Sequence, residues 1–204
     1  MSRAKQLIKD IKKWAKDQPE VRALILFGSQ AQRGMADPLS DIDLALFVTE
    51  PEAFFADTTW AEAFGPTWLE VRETLETTFI HKILYEDGTM VEFVIQPLEN
   101  LQAMQEKLSP HLAPGYKVLV DKDKTARDLP KPSSQVDTPP SPSIEEFHQT
   151  LASFWLHVYQ AAKYLLRNDL WRAKNYDWQL KQGLLVMMGW HALLVRGQEH
   201  FTFY

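Results

Sequence analysis

Residues 24–48 constrain the fold of this chain more than any other stretch. They run from an apolar segment through Gly28-Ser29 and a polar connection into a second apolar segment that begins with Asp41 and Asp43. We interpret this order as strand, tight turn and strand. Because side chains alternate along a strand, Asp41 and Asp43 share one face. Two such carboxylates repel unless a cation lies between them, which favours a hard metal such as Mg²⁺.

The Gly28-Ser29 turn is suited to binding a phosphate. Glycine lets the backbone approach a ligand closely, and the helical turn that we predict over residues 30–34 supplies backbone amides beside a small hydroxyl. We therefore predict that a triphosphate binds at Gly28 and Ser29, next to a metal at the acids. Asp-x-Asp alone also fits a solvated strand start, but the strand-turn-strand context favours the metal site.

A third acid stands in a downstream hairpin. Two apolar runs, residues 79–85 and 90–95, are joined by an Asp-Gly turn, and Glu92 interrupts the second run. An unpaired carboxylate is costly to bury, so Glu92 either points to solvent on an edge strand or has a partner. Given the upstream acids, we predict that the hairpin brings Glu92 beside them.

The remaining patterns predict an α+β fold, with a mixed sheet flanked by helices and followed by an all-helical domain. Five prolines and no core-forming cluster mark residues 128–143 as a linker between domains 1–127 and 144–204. The second domain opens with a capping box at Ser143 and carries two helices with wide apolar stripes. We expect this helical domain to be incomplete, because such stripes need further partners. The other predicted elements are helices at 3–17, around 54–64 and at 97–107, and strands at 21–27, 68–73 and 116–120.

Composition narrows the class of protein. The 204 residues are 45% hydrophobic with no cysteine and a net charge of -5. The charge argues against a nucleic-acid partner and suits either a cationic substrate or nothing in particular. The absence of cysteine excludes disulfides and thiolate catalysis. No apolar run of membrane length is found, so we expect a cytoplasmic protein without a membrane partner, and we favour a monomer.

These motifs resemble a known superfamily. A Gly-Ser turn, about ten intervening residues and Asp-x-Asp on the next strand are similar to the polymerase-beta-like nucleotidyltransferases. The wider chain resembles the aminoglycoside 6-adenylyltransferase family, also called streptomycin adenylyltransferases. The stretches that carry this second resemblance are residues 41–43, 47–49, 60–65, 84–88, 96–98, 154–155, 159–163 and 171–174.

The resemblance implies transfer of AMP from ATP to a hydroxyl of an aminoglycoside such as streptomycin, with release of pyrophosphate. Asp41 and Asp43 would hold Mg²⁺, and Gly28 and Ser29 would hold the outer phosphates. Glu92 would ligate the metal or accept the proton of the attacking hydroxyl. Relatives often have Asp at the position of Glu92, so both roles stay open.

The helical domain offers further candidates. The resemblance makes Lys174 a phosphate contact, although it also reads as an exposed helix lysine. Tyr159 could stack on the nucleotide or the sugar, whereas aromatic residues on an apolar helix face usually pack in a core. Asp177 could meet an ammonium group of the acceptor or be merely exposed. Three functions therefore stay open: an aminoglycoside adenylyltransferase, a nucleotidyltransferase with a protein or other small-molecule acceptor, and a non-catalytic nucleotide-binding module.

Overall fold

The structure is a computed structural model that describes residues 2–133 and 141–196. The chain divides into two compact units, Met1–Ser134 and Gln135–Tyr204, which we call the N-terminal unit and the helical unit. Residues 134–140 of the predicted linker and residues 197–204 of the predicted helical domain lie outside the described residues. Within the described part of the chain, no helix is long and apolar enough to cross a membrane.

The N-terminal unit is built on one six-stranded sheet. The β2–β5 pair is parallel and the other neighbouring pairs are antiparallel, so the sheet is mixed and the predicted α+β class is confirmed. The strands are β1 (Val21–Phe27), β2 (Ile42–Val48), β3 (Thr67–Leu75), β4 (Thr78–Tyr85), β5 (Met90–Pro97) and β6 (Lys117–Asp121), in the spatial order β3-β4-β5-β2-β1-β6.

Helices and short helical turns connect these strands. They are α1 (Arg3–Asp17), α2 (Gly28–Ala31), α3 (Pro51–Ala56) and α4 (Leu98–Ala103), with 3₁₀ turns at Thr59–Phe64 and Thr125–Asp128. Ser2 caps α1, because its hydroxyl accepts a hydrogen bond from the backbone N–H of Lys5.

Two hydrophobic clusters cover the two faces of the sheet. On β2, Leu44 and Leu46 belong to the cluster that contains the buried face of α1, whereas Ala45 and Phe47 belong to the cluster beneath α4. This alternation follows from the two-residue period of a strand. Asp43 continues the series of Ala45 and Phe47, so its side chain lies on the α4 face of the sheet.

Several predicted boundaries were wrong. The helical turn predicted over residues 30–34 is α2, which begins at Gly28 and ends at Ala31. The helix predicted over 97–107 covers only Leu98–Ala103, and β3 is nine residues long, not six. Asp41 immediately precedes β2, which begins at Ile42. These differences lie at element ends, where local turns compete with the periodic pattern.

The helical unit consists of α5 (Ile144–Leu166) and α6 (Leu170–Arg196). The predicted capping box at Ser143 is present, since the Ser143 hydroxyl accepts from the Glu146 N–H and the Glu146 carboxylate accepts from the Ser143 N–H. The two helices pack against each other. A Cβ atom added at Gly183 on α6 would lie 3.8 Å from the Cβ atom of Phe154 on α5. Asn168, between the helices, has a positive φ of 56°, which accommodates the reversal of the chain.

Candidate active site

The centre of the site is a pair of carboxylates on adjacent strands. β2 and β5 run parallel, and their register places Asp43 directly beside Glu92. Paired residues of neighbouring strands project from the same side of the sheet, so both side chains lie on the α4 face. Both are half-buried. The hairpin β4–β5 therefore brings Glu92 beside the first acid motif, as the sequence pattern predicted.

Gly28 forms the wall behind Asp43. A Cβ atom added at Gly28 would lie 2.0 Å from Oδ2 of Asp43, so the carboxylate fills the space in which any other side chain would begin. The φ angle of Gly28 is +66°, a conformation that glycine adopts without steric penalty. The backbone of Gly28, at the junction of β1 and α2, thus lies directly against the carboxylate of Asp43 near the start of β2. Ser29 follows Gly28 in α2.

The electrostatics of Asp43 reflect this crowding. Its pKa is raised from 3.8 to about 6, chiefly because burial disfavours the charged form and further because Glu92 and Asp41 are negatively charged. His111 opposes these effects and lowers the pKa of Asp43. Burial also raises the pKa of Asp41. Among the described residues, no hydrogen-bond donor pairs with either aspartate.

Asp41 lines a cleft on the α2 side of the acid motif. The cleft has a volume of about 1060 Å³, and Gln30, Ser40 and Lys117 also line it. The Nζ atom of Lys117 donates to the backbone carbonyl of Gln30 at 3.2 Å. Asp41 is therefore accessible from the side of α2.

The donors at this site suit a hard divalent cation in chemical type. Three carboxylates offer oxygen ligands, and the pKa of Asp43 is raised by burial and by the neighbouring charges of Glu92 and Asp41. In the described ranges, however, no three acidic or histidine side chains converge closely enough to form a finished metal centre. The site therefore has oxygen ligands of the type that a divalent cation needs. To bind one ion together, the side chains of the three acids would have to move closer to one another.

Comparison with known proteins identifies the family. The sequence model for streptomycin adenylyltransferase matches residues 1–203, which is nearly the whole chain. This chain belongs to the streptomycin adenylyltransferase family. The predicted family and the predicted enzyme class, a nucleotidyltransferase, are thereby confirmed, and the mixed sheet is the fold expected for that class.

Three relatives that this chain resembles in sequence are named aminoglycoside 6-adenylyltransferases. The protein from Bacillus subtilis is 28% identical over 90% of this chain and 67% of its own length. Those from Campylobacter jejuni and Staphylococcus aureus are each 24% identical, over 99% and 97% of this chain and 71% and 72% of their own lengths. A crystal structure of an aminoglycoside 6-adenyltransferase from Bacillus subtilis aligns with 95% of this chain and 68% of its own, at 22% identity and a TM-score of 0.46.

Two residues at the candidate site were not predicted from the sequence. Lys82 on β4 pairs with Glu92 in register, and its Nζ atom lies 3.4 Å from Oε2 of Glu92. His111 influences Asp43 electrostatically, and its ring centroid lies 6.3 Å from that of Phe27. Lys82, Glu92, Phe27 and His111 line a cavity of about 830 Å³. A count of residues outward from the Asp87-Gly88 turn could have revealed Lys82, whereas His111 lies in an irregular segment without a periodic signal.

The structure places the predicted residues of the helical unit on its two helices. Tyr159 lies on α5 and is 63% exposed, so it is not part of a core within the described residues. Lys174 is exposed on α6. Asp177 is paired with Lys181, one helical turn along, at 2.6 Å between Oδ2 and Nζ. Tyr159 and Lys174 are thus available to a ligand, whereas Asp177 would first have to leave Lys181.

Proposed function

We propose that this protein is a Mg²⁺-dependent adenylyltransferase that moves AMP from ATP to a hydroxyl of an aminoglycoside such as streptomycin. The observation that carries the proposal is the register of Asp43 beside Glu92, with Gly28 packed against the Asp43 carboxylate. The proximity of Gly28 to two acids supports our proposal that the bend at Gly28 binds phosphate next to a metal. The relatives named aminoglycoside 6-adenylyltransferases support the choice of reaction.

The bend between β1 and α2 would bind the phosphates of the nucleotide. The backbone at Gly28 has no side chain, so a phosphate oxygen can approach it closely, and the Ser29 hydroxyl is a further donor. In the helical unit, the exposed Lys174 is the residue that we propose as a phosphate contact. Asp41, Asp43 and Glu92 would hold the divalent ion. When bound, that ion would neutralise the triphosphate and lower the pKa of the acceptor hydroxyl.

The transfer step needs one proton acceptor. The acceptor oxygen forms a bond to the α-phosphorus of ATP, and the bond between that phosphorus and the oxygen bridging to the β-phosphate breaks. Pyrophosphate leaves with the electron pair of the broken bond. The hydroxyl proton passes to the Glu92 carboxylate, which is half-buried on β5 and borders the cavity of about 830 Å³.

Recognition of the acceptor follows from charge. The sequence carries a net charge of -5, and the predicted acceptor contacts Glu92 and Asp177 are acidic. Aminoglycosides carry several ammonium groups, which such carboxylates attract. Tyr159, exposed on α5, offers an aromatic face for the sugar or the base.

The test is an incubation of the protein with MgATP and a panel of aminoglycosides that includes streptomycin, with pyrophosphate release as the readout. We expect release with at least one member of the panel and none without an acceptor or after removal of Mg²⁺ with EDTA. No release with any aminoglycoside would refute the proposal. Labelling of a protein by radioactive ATP, with aminoglycosides inert, would instead favour a different acceptor.

A further inference from the structure

The lysine opposite Glu92 lies between two carboxylates. Lys82 and Glu92 are paired residues of β4 and β5, and the ammonium lies 3.4 Å from one Glu92 oxygen. The same ammonium lies 4.0 Å from Oε1 of Glu73 on β3. Lys82 therefore sits between a carboxylate of the candidate active site and a carboxylate outside it.

The charges around Lys82 make it the local counter-ion. Of the described residues that line the cavity of about 830 Å³, Lys82 is the one lysine or arginine, and Glu76 and Glu92 are the acids. The Glu92 side chain is 25% exposed and that of Lys82 36%, so the pair is partly shielded from water. A cation at this distance attracts the Glu92 oxygen that a divalent ion would also need.

We propose that Lys82 is a tethered counter-cation that competes with the divalent metal for Glu92 and so lowers the affinity of the site for that metal. The inference rests on the proposed function, because it takes Glu92 to be a metal ligand. The Oε2 atom of Glu92 is engaged by the Lys82 ammonium at 3.4 Å, so a metal that binds this oxygen must displace the ammonium. Glu73 is the carboxylate to which the ammonium can move when Glu92 turns to the metal.

The register of the hairpin enforces this competition. The turn at Asp87-Gly88 is closed by a hydrogen bond from the Gly88 N–H to the Tyr85 carbonyl at 2.9 Å, and Gly88 has a φ of 81°. This turn fixes which residue of β4 faces Glu92. Lys82 can swing its side chain but cannot leave the neighbourhood of the carboxylate.

The experiment is a titration of the full chain, without nucleotide, with Mn²⁺ alone, followed by calorimetry and by the Mn²⁺ electron paramagnetic resonance signal. We expect Lys82→Met to bind Mn²⁺ about fivefold more tightly than the unsubstituted protein, the effect of losing one partly exposed ion pair. Glu73→Gln should bind Mn²⁺ more weakly, because the ammonium loses its alternative partner. Lys181→Met, which removes a lysine from an ion pair in the helical unit, is the matched control and should leave the affinity unchanged.

Circular dichroism and thermal unfolding establish that each variant is folded. If Lys82→Met leaves Mn²⁺ affinity unchanged or lowers it, or if neither protein binds Mn²⁺, the inference is overturned and Lys82 is only a cross-strand ion pair. Aminoglycoside-dependent pyrophosphate release by the unsubstituted protein is measured in parallel. Release with no effect of Lys82→Met on Mn²⁺ binding would refute the inference alone, whereas absence of release would refute the proposed function.

Discussion

The α-carbon of Gly28 packs against the carboxylate of Asp43 so closely that a Cβ at Gly28 would lie 2.0 Å from Oδ2. The contact joins the bend after β1 to the first residues of β2. It also fixes the distance between the predicted phosphate-binding backbone and the predicted metal ligand. Because phosphoryl transfer depends on positioning more than on covalent chemistry, this contact should control activity.

Replacement of Gly28 by alanine should therefore inactivate the enzyme. The added methyl group must displace Asp43, and the positive φ of +66° adds backbone strain of about 1 kcal/mol. We expect aminoglycoside-dependent pyrophosphate release to fall by at least about 100-fold.

Gly34→Ala is the matched control for this prediction. Gly34 also has a positive φ, +79°, but nothing lies within 4 Å of its added Cβ. Both variants should lose a similar backbone contribution to the free energy of unfolding, and only Gly28→Ala should lose activity. Equal loss of activity in both would show that the bend, not the contact with Asp43, matters.

The raised pKa of Asp43 predicts a stability that depends on pH. The folded protein holds the Asp43 proton more tightly than the unfolded chain does, because the pKa is about 6 instead of 3.8. The ionised carboxylate consequently lowers the free energy of unfolding above about pH 6, and this cost disappears below about pH 4. In EDTA, Asp43→Asn should raise the free energy of unfolding by about 1–3 kcal/mol at about pH 8 and leave it unchanged at about pH 4.

Urea unfolding at the two pH values measures this effect. Asp41→Asn is the comparison, since burial also raises the pKa of Asp41, and its gain should have the same sign and a smaller size. A loss of stability in Asp43→Asn at about pH 8 would mean that the charge has a partner that compensates for burial. Neither variant is expected to retain activity.

The position of Glu92 near Asp43 was predictable because each acid interrupts a run of apolar residues that indicates a buried strand. The Asp-Gly turn marks the hairpin that carries Glu92. The contact of Lys82 with Glu92 depends on the register of that hairpin, which the turn sets and the apolar pattern alone does not. A count of residues outward from the turn would have found it.

Other features had no local signal. His111 lies between α4 and β6 in a segment without regular structure, so its approach to Asp43 is a product of tertiary packing. The early start of α2 reflects the freedom of Gly28 to leave the strand at a positive φ directly after Phe27. The predicted domain boundaries at 127 and 144 stay predictions, because part of the linker lies outside the described residues.

Lys174 tests whether α6 contributes to nucleotide binding. It is exposed, and no ion pair engages it within the described residues, so its charge is available to a phosphate. Lys174→Met should raise the KM for ATP by about five- to tenfold, the loss of one charge-assisted contact, with little change in kcat. Lys181→Met on the same helix is the control and should leave the KM for ATP unchanged. Identical kinetics for both variants would make Lys174 an ordinary surface lysine.

Glu92 carries the central claim, that a carboxylate on β5 completes the acid cluster of β2 for adenylyl transfer. The most direct measurement is mass spectrometry of each aminoglycoside of the panel, streptomycin included, after incubation with MgATP and either the unsubstituted protein or Glu92→Gln. We predict that at least one aminoglycoside gains the mass of one AMP group with the unsubstituted protein and that the rate falls by about 100- to 1,000-fold with Glu92→Gln. Modification by Glu92→Gln at the unsubstituted rate, or no modified aminoglycoside with the unsubstituted protein, would contradict the account.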